Sequence, residues 1–494
     1  MFLFQSFIRG IGDLCRFPIF DFGNRQSKIE TQNGGFIMND AKINRRRFLK
    51  STIASAVGTA GFPLVVPSSA LGRAGNVPPS SRINMGSIGV GGMGTNNMRA
   101  FLTQPDVQVV AVCDVTTASN EYGHWYKKGW QGAWFGREPA RKIVEDHYAQ
   151  KSQSGRYKGC GAYVDFRELL ARDDIDAVCI TTPDHWHAIP VITAAATGRH
   201  IYCEKPMSLT IAEGQAMVKA VRRHGVIFQT GTQRRSDQQF RFICELIRNG
   251  RIGQLKKIIT TIGLNNKEAP PKDWQPMPVP EWLDYDMWLG PAPWVPYHKD
   301  RCLYTFRFGL DYSGGQTTNL GAHAIDIAQW ANDADGTGPV EVEDLGGEYP
   351  EDGLFTTATK VHFRAWYANG VELTCETQDG GPLHFEGTEG WIQIHKNQLT
   401  CYPESLKTSV IGPNEIHLYQ SDDHHRNFVD CVRERRETAA PVEVGHRSVS
   451  VCHLGNIAMT LKRKLRWDPQ EERFVNDEKA NRMLARTMRG PWHL

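Results

Sequence analysis

Residues 83 to 90 form a β-branched, apolar run that leads into Gly89-Val90-Gly91-Gly92-Met93-Gly94 and then a helical pattern to residue 103. This G-x-G-x-x-G between strand and helix leaves the chain few alternatives. Gly89 permits a tight turn, Gly91 lets a ligand approach the backbone, and Gly94 lets helix and strand pack closely. Gly92 and Met93 lie in the same cradle, where the free N–H groups and dipole of the helix start favour a phosphate. A second strand, Val107–Cys113, ends on Asp114. A carboxylate there accepts hydrogen bonds from a ribose and repels a 2′-phosphate, so NAD is the expected ligand and NADP the alternative.

The alternation continues. A short apolar strand at 177–181 runs into Thr182-Pro183-Asp184-His185-Trp186-His187, a helix follows at about 187–197, and the strand His200–Cys203 ends on Glu204-Lys205-Pro206. Ligands of open parallel sheets gather outside the carboxyl ends of the strands, which puts Thr182, Pro183, His187, Glu204 and Lys205 along one rim. Pro206 pushes Lys205 toward extended backbone and so aims its ammonium. Helical patterns at 138–149, 165–171, 211–223 and 237–248, with a strand at 226–230, complete a doubly wound parallel sheet over residues 82–253. Residues 116–160 read as an insertion carrying Trp125, Trp130 and Trp134.

From residue 254 the strands alternate instead, at 255–262, 341–348, 357–365 and 371–377 and around Phe385 and Ile392. They predict a second α/β domain over 254–494, with a large, mostly antiparallel open sheet and closing helices at 424–436 and 446–464. Its Pro- and Trp-rich stretch, 269–310, holds Trp282, Trp288, Trp294, Tyr297 and His298, expected to pack among themselves. A helix then carries Asn319, His323 and Asp326 on one side. Polar groups on so apolar a segment need partners or a task.

The chain has 494 residues and a formal charge of only +3, without basic runs interleaved with aromatics, so nucleic acid is not an expected partner. Eleven scattered cysteines give neither C-x-x-C pairs nor zinc spacing, which predicts mostly buried thiols. His185 and His187 lack a carboxylate or cysteine to complete a ligand set, so no metal is expected. In residues 1–75, Asn44-Arg45-Arg46-Arg47-Phe48-Leu49-Lys50 precedes a mild apolar run at 51–67 and small residues at 68–74. That is the layout of a twin-arginine export signal, which predicts a periplasmic protein, and Met38 begins a signal of ordinary length. The run is too short and weakly apolar for a membrane span, so none is expected in the mature chain.

The glycine turn, Thr182-Pro183 with His187, Glu204-Lys205-Pro206 and Gly321-Ala322-His323-x-x-Asp326, taken in order, resemble the Gfo/Idh/MocA oxidoreductases over roughly residues 82–468. The resemblance implies a Rossmann domain, an α/β domain whose open sheet makes dimer or tetramer contacts, and a nicotinamide cofactor acting on a sugar or cyclitol. It places the family's lysine on Lys205, its catalytic histidine on His323 and its cofactor-side histidine on His187. The position four residues before the catalytic histidine, often aspartate in inositol-dehydrogenase-like members, is Asn319, which cannot accept a proton. Proton transfer then rests on His323 and Lys205, with Asp326 as the neighbouring acceptor that sets the imidazole tautomer. Besides net oxidation of a secondary hydroxyl, two readings stand: glycoside cleavage with tightly bound, recycled NAD, and a non-catalytic cofactor- or sugar-binding protein.

Overall fold

The computed structural model describes residues 77–124, 132–152, 154–263, 272–378 and 381–494, all within one compact unit, Val66–Leu494. The twin-arginine segment, Trp125 and Trp130 lie outside the described residues.

A six-stranded parallel sheet is built from β1 (Ile83–Ile88), β2 (Val107–Cys113), β3 (Gly161–Tyr163), β4 (Ala177–Ile180), β5 (His200–Cys203) and β6 (Phe228–Thr230), in the order β3-β2-β1-β4-β5-β6. All four residues of β4 are buried, as required of a central strand covered on both faces. The connecting helices are α1 (Gly92–Leu102), α2 (Arg137–Lys151), α3 (Phe166–Leu170), α4 (Ala188–Ala196) and α5 (Ile211–His224), with α6 (Gln238–Arg248) leading out of the sheet. Their starts follow side-chain capping. Asp165, Thr210 and Asp237 each accept a backbone N–H of the helix they precede.

The second sheet has nine strands in the order β13-β12-β11-β7-β10-β9-β8-β14-β15, where β7 is Leu255–Ile262, β8 Glu341–Asp344, β9 His362–Trp366, β10 Glu372–Thr377, β11 Leu383–Gly387, β12 Trp391–His395, β13 Gln398–Tyr402, β14 Leu465–Asp468 and β15 Arg473–Phe474. β7 and β10 pair parallel and the other neighbours antiparallel. Burial alternates along β9 and β12, so one face is packed and the other open. Short helices α7 (Tyr285–Leu289) and α8 (Gln316–Asn319) precede α9 (Gly321–Ala331), and α10 (His424–Glu434) and α11 (Val442–Leu461) follow the sheet's central strands. Ile325, Ile327 and Ala328 of α9 join Ile258, Phe363, Leu373 and Phe385 in the core behind the packed face. Each such fully buried aliphatic or aromatic side chain contributes about 1.5–3 kcal/mol.

Two differences from the sequence reading have local causes. The strand expected at 357–365 begins only at His362, because Thr356 and Thr357 donate their N–H groups to Phe308 O instead of to a strand. The boundary at 254 separates the sheets but not the packing: Phe428 and Val429 of α10 bury themselves against Phe101, Met85 and Tyr202, and Arg426 pairs with Asp106 at 2.6 Å. The cysteines described are all unpaired thiols, and all but Cys401 are buried.

Candidate active site

A cavity of about 270 Å³ opens at the carboxyl ends of β1, β4 and β5. Its floor is the glycine turn. Gly89 has φ +79°, and a Cβ there would lie 2.7 Å from the Thr181 and Thr182 backbone. A Cβ on Gly94 would lie 1.8 Å from Gly89 O, so helix and turn touch backbone to backbone. No side chain caps α1, which leaves its first-turn N–H groups to a ligand. Above Gly91 stands the ring of Tyr122, 2.9 Å from where a Cβ would be. Asp114 lines the cavity, and both its oxygens already accept backbone N–H groups, from Val90 at 2.7 Å and Thr116 at 2.8 Å. The carboxylate thus holds the glycine turn closed. Burial pushes its pKa up, against the pull of those two donors.

Thr182, Pro183, Glu204 and Lys205 line the same cavity, as do Gly89, Gly91, Gly92, Met93 and Gly94. The Glu204 carboxylate accepts from Asn97 at 3.0 Å, Gln233 at 2.9 Å and the Lys205 backbone N–H at 3.1 Å. Lys205 opens onto the cavity but sits deep in the protein. Burial pulls its pKa down to about 8, with Glu204 opposing that shift and Arg307 adding to it. Its Nζ donates to Asn319 O at 2.8 Å and Asn319 Oδ1 at 3.1 Å. An ammonium has three donors, so one remains for a ligand.

Asn319 is fixed on every side. Its Nδ2 donates to Gln316 Oε1 at 2.8 Å, and its Oδ1 also accepts from Arg307 Nε at 3.4 Å. His323, one turn on, lines the cavity too, and its Nδ1 has no hydrogen-bond partner among the described residues. Burial, then the charges of Lys205 and Arg234, hold its pKa well below the usual imidazole value, so the ring is neutral.

Two expected site residues are elsewhere. Asp326 does not set the His323 tautomer. It is fully buried, pairs with Arg235 at 2.9 Å and accepts from Ser448 Oγ at 2.8 Å. Helical spacing put both residues on one broad face, and the net offset of about 60° that three residues leave is here enough to separate cavity from core. His187 does not line the cavity. Its ring bridges Pro206 O at 2.7 Å and Thr182 O at 2.9 Å, tying the turn after β4 to the one after β5 and so positioning Lys205 from behind. His185 is spent on Trp288 O at 2.9 Å, and burial lowers its pKa to about 3.

Sequence reasoning missed Tyr122, Asp184 and Arg307, all on the cavity wall. Asp184 lay inside the Thr-Thr-Pro-Asp-His stretch and its carboxylate accepts from Ser313 Oγ at 2.6 Å. Arg307 lies between Phe306 and Phe308 in an aromatic stretch with no periodic signal. Among the tryptophans, Trp288 lines the cavity and is buried, while Trp294 is 64% exposed.

The glycine turn, the uncapped helix start and Asp114 fit a dinucleotide, with Lys205, Asn319 and His323 within the same cavity. A family model described as "Oxidoreductase family, C-terminal alpha/beta domain" matches residues 239–494, and one described as "Oxidoreductase family, NAD-binding Rossmann fold" matches residues 132–232. Myo-inositol 2-dehydrogenase of Thermotoga maritima is 34% identical over 113 residues, covering 23% of this chain and 33% of that protein. A glycosyl hydrolase family 109 protein of Shewanella baltica is 31% identical over 192 residues, covering 37% of each. The chain therefore aligns with only about a third of the length of these curated relatives. The structure of the WlbA dehydrogenase from Bordetella pertussis superposes with a TM-score of 0.55 at 15% identity, covering 78% of this chain and 99% of that one, and shares its fold.

Proposed function

The chain belongs to the Gfo/Idh/MocA oxidoreductase family, whose Rossmann domain binds NAD, and on that footing we propose that it oxidises a secondary hydroxyl of a sugar, glycoside or cyclitol. The observation that carries this reading is the meeting of Lys205, Asn319 and His323 in one cavity with the glycine turn. Bound NAD, or NADP as the alternative, supplies the hydride acceptor. The N–H groups of Gly92, Met93 and Gly94 would hold its diphosphate, and Asp114 would favour the unphosphorylated ribose through repulsion of a 2′-phosphate.

The protein's own groups handle the proton and the charge. The neutral His323 imidazole accepts the hydroxyl proton, and the free donor of Lys205 Nζ stabilises the oxygen on which negative charge develops. Asn319 takes no proton. It holds the ammonium through two acceptors and so fixes where the third donor points. Trp288, Leu303 and Phe306 line the same space with apolar surface and exclude water, which strengthens these interactions.

Mass spectrometry of protein purified without added nucleotide, followed by absorbance of reduced nicotinamide on adding sugars, tests this. Retained NAD and stoichiometric reduction support it. Lys205→Ala and His323→Ala variants that oxidise sugars as well as the parent would defeat it, and variants that weaken binding alone would support a sugar-binding protein. Redox-neutral glycoside cleavage is favoured by the alignment with the glycosyl hydrolase family 109 protein. Release of aglycone from aryl glycosides without accumulation of reduced cofactor would select it. We further propose a homo-oligomer, a dimer or tetramer, and twin-arginine export to the periplasm. The basic residues Arg45 and Arg46 ahead of a mild apolar run support export, and fractionation of cells carrying an Arg45→Lys, Arg46→Lys chain tests it.

A further inference from the structure

Lys205 and Arg307 line the cavity with His323, the Arg234 charge reaches both Lys205 and His323 from outside the lining, and none of the three is in an ion pair among the described residues. Lys205 donates to Asn319, Arg307 to Asn319 and Tyr304 O, and the Arg234 guanidinium lies 5.0 Å over the Phe240 ring. Several sheltered arginines of the fold are matched with carboxylates, Arg235 with Asp326 and Asp335, Arg426 with Asp106 and Arg486 with Glu213, although Arg137, Arg199 and Arg301 are not among the described ion pairs. Cations this sheltered are costly unless something anionic meets them.

Arg307 is built to meet it. Its guanidinium packs 4.5 Å from the Tyr304 ring centre and 4.6 Å from that of Phe306. Nη1 donates to Tyr304 O at 2.9 Å and Nε to Asn319 Oδ1 at 3.4 Å, whereas Nη2 has no acceptor among the described residues. The rings and the amide fix the plane of the fork and leave donors over on a residue that lines the cavity. A fixed fork with spare donors is the partner of a planar anion.

The carboxylates nearby do not fill that role. Asp184 accepts from Ser313, and Glu204 from Asn97, Gln233 and the Lys205 N–H. Asp114, the third carboxylate on the cavity wall, accepts from the Val90 and Thr116 N–H groups, so it too is engaged away from Arg307.

Building on the oxidoreductase reading above, we propose that the substrate carries a carboxylate, as a hexuronate or its glycoside does, and that Arg307 binds it through a bidentate pair. Arg234 adds longer-range attraction. A second consequence follows for the chemistry. Because Lys205 and Arg234 are among the causes that depress His323, a seated carboxylate offsets their field and makes the imidazole a better base when substrate is bound.

Isothermal titration of the purified holo-protein with D-glucuronate against D-glucose, D-galacturonate against D-galactose, and D-glucose 6-phosphate tests the proposal without requiring turnover. At least one uronate is expected to bind about 10- to 100-fold tighter than its neutral counterpart. Arg307→Gln should bring that ratio to within about threefold of unity with NAD content retained, and Arg307→Lys, which keeps the charge but loses the fork, should fall between. Equal or tighter binding of the neutral sugars, no binding of either uronate, preference for the sugar phosphate, or an unchanged ratio in the two variants would overturn it. So would loss of NAD from Arg307→Gln, which would assign the fork to the nucleotide. Uronate-selective binding with no reduction of cofactor would instead leave this proposal standing and defeat net oxidation.

Discussion

Lys205 and Asn319 are 114 positions apart in the sequence, yet the lysine ammonium donates to both the backbone carbonyl and the side-chain oxygen of the asparagine, at 2.8 and 3.1 Å. The amide gives the ammonium a fixed direction without neutralising it. If that charge stabilises the developing alkoxide, kcat/KM falls as pH rises through about 8, where Lys205 loses its proton. Asn319→Asp places a carboxylate against Nζ and favours the charged form, so the alkaline limb should move up by about 1–2 pH units. A pH–rate profile in which the limb stays put would show that another group controls it.

Lys205 also links function to stability. Its folded pKa of about 8 lies below the unfolded value of about 10.4, so the native state binds fewer protons between the two. The cost of burying the ammonium is therefore fully present below about pH 8 and disappears as pH rises to about 10.4. Lys205→Met is expected to stabilise the cofactor-free protein by about 1–3 kcal/mol at neutral pH and to lose turnover by about 1000-fold. Urea unfolding below and above that window is the measurement. A parent protein whose stability does not rise across it would contradict the buried-ammonium account.

Asp326 belongs to the fold and not to the chemistry. Its side chain and that of Arg235 are 1% and 2% exposed, and removing one partner of such a pair leaves the other charge buried. Asp326→Asn should cost about 3–5 kcal/mol. Thermal unfolding will show the loss, and the shape of the pH–rate profile of the surviving enzyme should match the parent. A moved acid limb would return Asp326 to the proton path.

The glycine turn predicts a graded series. At Gly94 an added methyl meets backbone at 1.8 Å, which nothing can yield, so Gly94→Ala should lose bound NAD and lower the melting temperature. At Gly91 the obstacle is the Tyr122 ring at 2.9 Å, which can tilt, so Gly91→Ala should retain the fold and bind NAD about tenfold more weakly. Gly91→Ala in a Tyr122→Leu background should recover part of that loss. Nucleotide content by absorbance and mass spectrometry orders the four proteins.

The parallel sheet, its rim and the cofactor cradle were legible in the sequence because each rests on short-range rules. An apolar run of strand length, glycines at a turn and a carboxylate after the next strand hold their meaning wherever the chain goes. β2, β5 and β7 were bounded as read, and Gly89 and Gly94 sit where only glycine fits. Lys205 and His323 could be named from the motifs around them.

Tertiary structure alone decided which polar groups share a space. Asp326 and His323 lie three residues apart on one helix, but one meets Arg235 in the core and the other meets the cavity. His187 looked like a cofactor residue and is a tie between two turns. Arg307 carried no pattern at all and became prominent only when folding put it beside Asn319, with Tyr304 and Phe306 around it and no carboxylate to pair with among the described residues. Local sequence fixes backbone conformation through sterics and periodicity. Which charges are left unmatched is a sum over residues distant in the chain, and only the folded packing performs it.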